Sequence, residues 1–189
     1  MIIVARPDDN SWVFGYGSLI WRPDFHYLRR EQATLHGWSR RFWQGSEDHR
    51  GTPAFPGRVV TLVRDSAERV QGMAYKLSPT VVESTFEHLD YREKNGYDRV
   101  DITLDLQSGD RVDSVVYIAA VDNEAWLGDA PLNEMAEQIA QAQGPSGPNS
   151  EYVIELAEGL RRMKIEDQHV YDLERELRAV LGRSKQVTE

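Results

Sequence analysis

The chain has 189 residues, of which 40% are hydrophobic and 28% are charged, and this composition is typical of one soluble globular domain. Its formal net charge of −9 argues against nucleic acid or an anionic membrane as the main partner, because phosphate binding depends on clustered Lys and Arg. The sequence contains no cysteine, which excludes disulfides, thiolate nucleophiles, Cys-ligated zinc and iron–sulfur clusters.

The first ten residues, MIIVARPDDN, do not have the pattern of a targeting segment. Their apolar run has only four residues before Arg6 and Pro7, which is too short for a signal peptide. No window of the chain approaches the roughly 18 apolar residues of a membrane span. We therefore expect a cytoplasmic protein, and no repeat or composition shift divides residues 1–189 into more than a single domain.

Strands are predicted to dominate the first two thirds of the chain. Trp12, Val13 and Phe14 form an aromatic and β-branched run that stops at a glycine-rich turn. Further strands are predicted at 33–44, 58–63, 70–77, 97–106 and 112–120. The segment 45–57 contains three glycines and two prolines and predicts a long loop. A polar turn at 65–68 predicts a hairpin between the strands on either side of it.

The first helix is predicted after residue 77. Ser78 is a favourable N-cap, and Pro79 suits the first helical position. An apolar stripe then follows at helical spacing, formed by Val82, Phe86 and Leu89. We expect this helix to end near 95–96, where Asn is followed by Gly.

The last third of the chain is predicted to be helical. Three apolar periodicities indicate three helices, and a Gly- and Pro-rich loop at 144–149 separates the first two. The final helix spans about 166–181. Strands followed by helices, without regular alternation, predict an α+β fold with a mixed, mostly antiparallel sheet.

The turn Gly15-Tyr16-Gly17-Ser18-Leu19-Ile20 is the first candidate for a binding site. Two glycines around a tyrosine let the backbone approach a ligand closely, and consecutive N–H groups can hold a carboxylate or an oxyanion. The alternative interpretation is a tight turn followed by a buried Leu-Ile-Trp. The spacing does not match a nucleophile elbow, a phosphate loop or a dinucleotide fingerprint.

Glu93 is the candidate for proton transfer. The apolar stripe of the first helix runs in steps of four and three, and the next step of four after Leu89 places Glu93 on the inward face. Desolvation there would raise the pKa of the carboxyl group, which suits a group that accepts a proton and later returns it. The alternative interpretation is a Glu at a frayed helix end, paired with Arg or Lys in solvent.

Four other side chains give weaker indications. Arg40 and Arg41 alternate with aromatic residues as on a half-buried strand, where a solvated face is a simpler explanation than a bound anion. His49 in its loop could bind or gate a substrate, and Tyr152 could offer a hydroxyl near the start of a helix, although both residue types are common in purely structural roles. The five histidines have no metal-ligand spacing, so no metal site is predicted.

Taken together, four segments resemble the ChaC family of glutathione-specific γ-glutamylcyclotransferases. They are WVFGYGSLIWRPDF at 12–25, RRFWQGSEDHRGTPAFPGRVVTL at 40–62, LDYREKNGY at 89–97 and GPSGPNSEYV at 144–153. The segments occur in the expected order and cover about 12–160 of the chain. The first and third are long and specific, whereas the first eleven residues and the C-terminal helix lie outside them.

The resemblance implies a barrel-like sheet flanked by helices and an enzyme without a cofactor. It implies that the loop from Gly15 to Ile20 cradles a γ-glutamyl group and that Glu93 is the catalytic glutamate. It also implies that Tyr152 lies near the substrate, which would be the small molecule glutathione. The sequence does not determine the oligomeric state.

The implied reaction agrees with the composition. In a γ-glutamyl peptide the α-amino group can attack the γ-carbonyl of the same residue, closing a lactam and expelling the next residue, so no enzyme nucleophile is needed. The expected products of glutathione are 5-oxoproline and cysteinylglycine. The sequence leaves open two alternatives, which are a cyclotransferase for other γ-glutamyl amino acids or amines and a non-catalytic sensor of γ-glutamyl ligands.

Overall fold

A five-stranded barrel forms the centre of the fold in a computed structural model that describes residues 11–186. The first ten residues, where the sequence predicts no signal peptide, lie outside the described residues, as do 187–189. The strands are β1 (Trp12–Gly15), β2 (Arg29–Ser46), β3 (Gly57–Lys76), β4 (Tyr97–Leu106) and β5 (Arg111–Ala119).

The barrel closes in the order β1-β3-β2-β4-β5, with β5 returning to β1. Only the β1–β5 pair is parallel, through Val13 and Val115, and the other described pairs of the barrel are antiparallel. Helices flank this sheet, and among the helices of residues 11–186 none has the length and apolar character needed to cross a bilayer. The predicted α+β class, with a mixed and mostly antiparallel barrel-like sheet, is confirmed.

The predicted hairpin within 58–77 is wrong, because β3 is one continuous strand. β2 pairs with β3 on both sides of a register shift, where His36 faces Arg69 and Trp38 faces Arg64. Gly37, which has a positive φ of 81°, therefore lies opposite the four residues 65–68. The polar residues that resemble a turn therefore form a bulge in the long ribbon of β2 and β3.

The first helix, α1 (Val82–Arg92), begins and ends inside its predicted limits. Ser78 does not cap it, since its hydroxyl bonds to the Thr80 hydroxyl at 2.9 Å and the N-cap position is Val81. The residue before a proline avoids helical dihedral angles, so 78–81 form a turn before the helix starts. The chain then turns from 93 to 96 before β4 begins.

The remaining helices are α2 (Leu132–Gln141), α3 (Asn149–Arg162) and α4 (Gln168–Gln186), and a short 3-10 helix spans Ser18–Ile20. The loop at 144–149 contains a small hairpin of β6 (Gln143–Gly144) and β7 (Gly147–Pro148), which leads directly into α3. Helices α2 to α4 cover one side of the barrel through a large apolar core. A smaller cluster, which includes Val13 and Leu89, lies under α1.

His169 joins α4 to the barrel and should make stability depend on pH. Its Nε2 accepts a hydrogen bond from the Phe42 N–H at 3.2 Å, and burial, with a further effect of Arg41, lowers the pKa of His169 to about 4. As pH falls from about 6.5 to 4, the unfolded chain binds a proton that the folded protein does not, so the free energy of unfolding decreases. Between pH 6.5 and 4.5 we expect the wild type to lose about 2 kcal/mol more than His169→Gln.

Urea unfolding of both proteins at a series of pH values measures this difference. The exposed His26 provides the control, since His26→Gln should keep the pH dependence of the wild type. Equal pH dependence in the wild type and His169→Gln would contradict the assignment.

Candidate active site

A cavity of about 320 Å³ opens at one end of the barrel. Four segments that are distant in sequence supply most of its walls: the turn after β1, the loop after β2, the end of α1 and the start of α3. Val59 of β3 and Tyr97 of β4 also line it. A recess of about 50 Å³ shares Ser18, Glu93 and Tyr97 with this cavity and is otherwise lined by β1, the turn after it and residues of the barrel. A larger open depression of about 930 Å³ between α3 and α4 contains none of the sequence-predicted site residues.

Glu93 lies at the junction of the cavity and the recess. It occupies the C-cap position of α1, where its N–H donates to the Leu89 carbonyl at 2.8 Å. One helical turn separates it from the fully buried Leu89, so its side chain continues the inward face of the helix and is only 21% exposed. The structure thus places this carboxylate on the wall of the cavity.

The electrostatics of Glu93 favour proton exchange. Burial raises the pKa of the Glu93 carboxyl group, because the ionised form loses hydration. The positive charge of Arg92, whose Nε lies 3.4 Å from Glu93 Oε1, opposes this increase in pKa, and His49 does so more weakly. The carboxyl group therefore holds a proton more readily than a solvated one and has a cation beside its ionised form.

Three tyrosines surround Glu93 without adding charge. Burial raises the pKa of Tyr16 and Tyr97 well above the usual value and also raises the pKa of Tyr152, so all three are neutral at physiological pH. Tyr16 Oη donates to the Tyr117 carbonyl at 2.7 Å, and Tyr97 Oη donates to the Val60 carbonyl at 2.8 Å. These neutral hydroxyls form a polar wall near Glu93.

Most residues of the predicted turn from Gly15 to Ile20 line the recess, but the last one lies in the core. Residues 15–19 line the recess, whereas Ile20 packs against Gly159 of α3 and does not reach it. The backbone at Gly17 lies close to the start of α3, because an added Cβ there would lie 2.8 Å from Tyr152 Oη. Among residues 11–186, no hydrogen-bond acceptor is found for the N–H groups of Gly17 and Ser18.

Arg92 fixes this turn to the end of α1. Its Nη2 donates to Ser18 Oγ, and its Nη1 donates to Asp24 Oδ1 at 2.7 Å. His88 Nε2 lies 3.4 Å from the other oxygen of Asp24. The guanidinium group that stands beside Glu93 is therefore held by two residues of the segment that follows β1.

The sequence pattern predicts no role for several residues that line the cavity, among them Arg92, Tyr97 and Arg50. All three stand inside the motifs, but nothing local to any of them indicates that it faces a cavity. Arg50 Nη1 donates to the Pro148 carbonyl at 3.0 Å and pairs with Glu151 at 3.2 Å, so it links the loop after β2 to the start of α3. Its neighbour His49 also lines the cavity, with Nδ1 at 3.2 Å from Ser146 Oγ.

The prediction that Arg40 lies on a solvated strand face is wrong. The Arg40 side chain is fully buried and is bonded to backbone carbonyls and to Asp167, which compensate for its lost hydration. It does not line the cavity, so it is not a direct anion-binding residue there. Within the described part of the chain, no three His, Asp or Glu side chains gather as metal ligands would.

Comparison with known proteins places the chain in a family. The sequence model of the family described as ChaC-like protein matches residues 11–180. Gamma-glutamylcyclotransferase 2-3 of Arabidopsis thaliana is 42% identical, over 93% of this chain and 92% of the relative. Glutathione-specific gamma-glutamylcyclotransferase 1 of Danio rerio is 39% identical, over 94% of both chains.

A solved structure shows the same fold. The crystal structure of a γ-glutamyl cyclotransferase specific to glutathione from yeast superposes with a TM-score of 0.85. It is 32% identical in sequence, and the match covers 91% of this chain and 97% of that one. From the family match and these relatives, the chain belongs to the ChaC-like family.

Proposed function

We propose that this protein cleaves glutathione by intramolecular cyclisation, giving 5-oxoproline and cysteinylglycine. The observation that carries the proposal is the desolvated carboxylate of Glu93, which stands in a cavity beside backbone N–H groups that have no acceptor in the described chain. Similarity to relatives named as glutathione-specific cyclotransferases supports glutathione as the substrate. We also infer that residues 1–189 act as a single domain; this and the cytoplasmic location stay predictions.

The reaction requires positioning and proton transfer, and it requires no enzyme nucleophile. The α-amino nitrogen of the γ-glutamyl group attacks the γ-carbonyl carbon, and a C–N bond closes the five-membered lactam. The bond from that carbon to the cysteine nitrogen then breaks. The attacking nitrogen, which starts as an ammonium group, loses two protons in all, and the leaving nitrogen gains two and departs as an ammonium group. Holding the attacking atoms about 3 to 3.5 Å apart removes several kcal/mol from the barrier.

Glu93 is the group that moves the proton. It accepts a proton from the α-ammonium group, because only the free amine attacks, and it returns a proton to the departing nitrogen. A raised pKa makes the second step easier, and Arg92 preserves enough of the ionised form for the first. One carboxyl group can thus act as base and then as acid in a single turnover.

The turn after β1 supplies donors for a substrate oxygen. The N–H groups of Gly17 and Ser18 hold either the α-carboxylate or the oxyanion that develops at the γ-carbonyl, where one donor contributes about 3 kcal/mol. The Tyr152 hydroxyl stands beside Gly17 and limits the space for the γ-glutamyl group. Arg50, on the opposite loop, offers positive charge to the far carboxylate of the tripeptide.

The loss of the Glu93 carboxylate should abolish turnover. We expect Glu93→Gln to form 5-oxoproline from glutathione at least about 100-fold more slowly than the wild type, because a positioned proton-transfer group contributes that much. Glu87→Gln, which changes an exposed residue of the same helix, should retain wild-type activity. Chromatographic detection of 5-oxoproline, with circular dichroism to verify folding, measures both. A folded Glu93→Gln protein that turns over glutathione at the wild-type rate would contradict the assigned role.

The same assay separates the alternative substrates. One relative is named as a γ-glutamylcyclotransferase without mention of glutathione, so γ-glutamyl amino acids and γ-glutamyl amines are included as competitors. We expect glutathione to be preferred by at least about 10-fold in kcat/KM, since a tripeptide can also use the positive charge of Arg50. Preference for a γ-glutamyl amine would instead indicate a site that does not use the distal carboxylate.

The ionised carboxylate of Glu93 should also lower the free energy of unfolding of the protein. Because burial raises the pKa of Glu93, its ionised form reduces the free energy of unfolding above that pKa. The reduction fades as pH falls through the ordinary Glu pKa of about 4.3, where the carboxyl is protonated in both states. We therefore expect Glu93→Gln to be more stable than the wild type at pH 7 and equally stable near pH 4. Urea unfolding at the two pH values, with Glu87→Gln as the control, tests this sign.

The absence of a side chain at Gly17 should be essential for activity. In Gly17→Ala the new Cβ would lie 2.8 Å from Tyr152 Oη and 2.9 Å from Val60 Cγ2, so the turn or the tyrosine must move. We expect a folded protein whose kcat/KM is at least about 10-fold lower. Gly182→Ala, where no atom lies within 4 Å of the added Cβ, is the control and should match the wild type.

A further inference from the structure

Arg40 is a buried cation that reaches the turn after β1 from behind the cavity wall. It lies on β2, its side chain has 0% exposure, and it lines neither the cavity nor the recess. Its Nε donates to the Tyr16 carbonyl at 2.8 Å, and its Nη2 donates to the Gln71 carbonyl of β3 at 2.6 Å. One planar guanidinium group therefore ties the turn to two strands of the barrel.

The third partner of Arg40 is Asp167, the residue immediately before α4. Arg40 Nη1 pairs with Asp167 Oδ2 at 2.5 Å. The other carboxylate oxygen of Asp167 accepts the Val170 N–H at 3.1 Å, and its carbonyl accepts the Tyr171 N–H at 3.1 Å, as expected of an N-cap. Through this pair the C-terminal helix is connected to the wall of the site.

The bond to the Tyr16 carbonyl has a geometric consequence for Gly17. In a trans peptide the C=O of one residue and the N–H of the next point in opposite directions. With the Tyr16 oxygen held toward Arg40, the Gly17 N–H points away from it, and Gly17 lines the recess that contains Glu93. No described residue accepts a hydrogen bond from that N–H, so its direction is set from the carbonyl side.

Stability alone is a weak reason for this arrangement. A buried ion pair loses hydration on both sides and often stabilises a protein no more than an apolar pair of similar size. What an apolar pair lacks is the ability to fix the orientation of a peptide group. A guanidinium group bonded to three fixed oxygens has a single orientation, and so has the carbonyl that it holds.

We propose that Arg40 is a positioning residue that fixes the peptide between Tyr16 and Gly17, so that the Gly17 N–H is directed at the substrate before it binds. The inference rests on the proposed function, because the value of that donor lies in the cyclisation. Asp167 acts with Arg40 by holding the guanidinium group in place.

Two conservative variants and one matched control test the role. Arg40→Lys keeps the charge opposite Asp167 but cannot reach three acceptors at once. Asp167→Asn keeps a good N-cap and removes the ionic partner, so it replaces the first variant if Arg40→Lys does not fold. Glu174→Gln is the control, because Glu174 is 3% exposed, lies on the same helix and is paired with Arg161 and Arg178, away from the turn.

The measurements are kcat and KM for glutathione across pH, the free energy of unfolding, and amide hydrogen exchange of the peptide 12–20. For folded Arg40→Lys we expect kcat/KM to fall about 10- to 100-fold with the acid limb of the pH profile unmoved, since Glu93 is intact. We expect faster exchange within 12–20 in this variant and, to a smaller extent, in Asp167→Asn. Glu174→Gln should lose stability but keep wild-type kcat/KM and wild-type exchange.

Folded variants of Arg40 and Asp167 with kcat/KM within twofold of the wild type and unchanged exchange at 12–20 would overturn the inference. A different result distinguishes failure of the proposed function. If the wild type does not convert glutathione, the cyclotransferase proposal fails, and the exchange comparison alone still decides whether Arg40 fixes the turn.

Discussion

The burial of the Glu93 carboxylate at the end of the barrel is the constraint to which the rest of the site is adjusted. Burial favours the protonated form, whereas the adjacent Arg92 favours the ionised form. Arg92 is itself held by Asp24 and Ser18, so its charge stays beside Glu93. The tyrosine hydroxyls around the carboxyl group remain neutral and therefore shape its surroundings without fixing its charge. A group balanced in this way can take up and release a proton within one reaction.

The sequence was sufficient where the determining interaction is local. Glu93 follows Leu89 by one helical turn, so the 3.6-residue period predicts its inward direction even though the helix ends at Arg92. The strand predicted at 97–106 coincides with β4, because β-branched residues and a following turn define it without help from distant residues. The glycine-rich turn after β1 was likewise visible, since a close backbone approach needs glycine at Gly17.

The sequence was insufficient where a distant partner decides the meaning of a residue. Residues 65–68 resemble a turn in isolation, but β2 lies beside them and converts them into a bulge opposite Gly37. Arg40 resembles an exposed strand residue, and its burial depends on acceptors 24, 31 and 127 residues away. Tyr97 reaches the cavity only because β4 follows the turn from Glu93 within a closed barrel. None of these partners has a signature in the local pattern.

The same difference between local and distant effects resolves the apparent conflict between an acidic protein and an anionic substrate. The net charge of −9 acts over the whole surface, and salt screens it beyond about 8 to 10 Å. Inside the cavity the relevant charges are those of Arg22, Arg50 and Arg92, set against Asp24, Asp48 and Glu93. Backbone N–H groups at the turn after β1 add donors whose strength does not depend on net charge. Binding of a small carboxylate is therefore determined by groups a few ångströms away, and the negative field of the protein chiefly slows its approach.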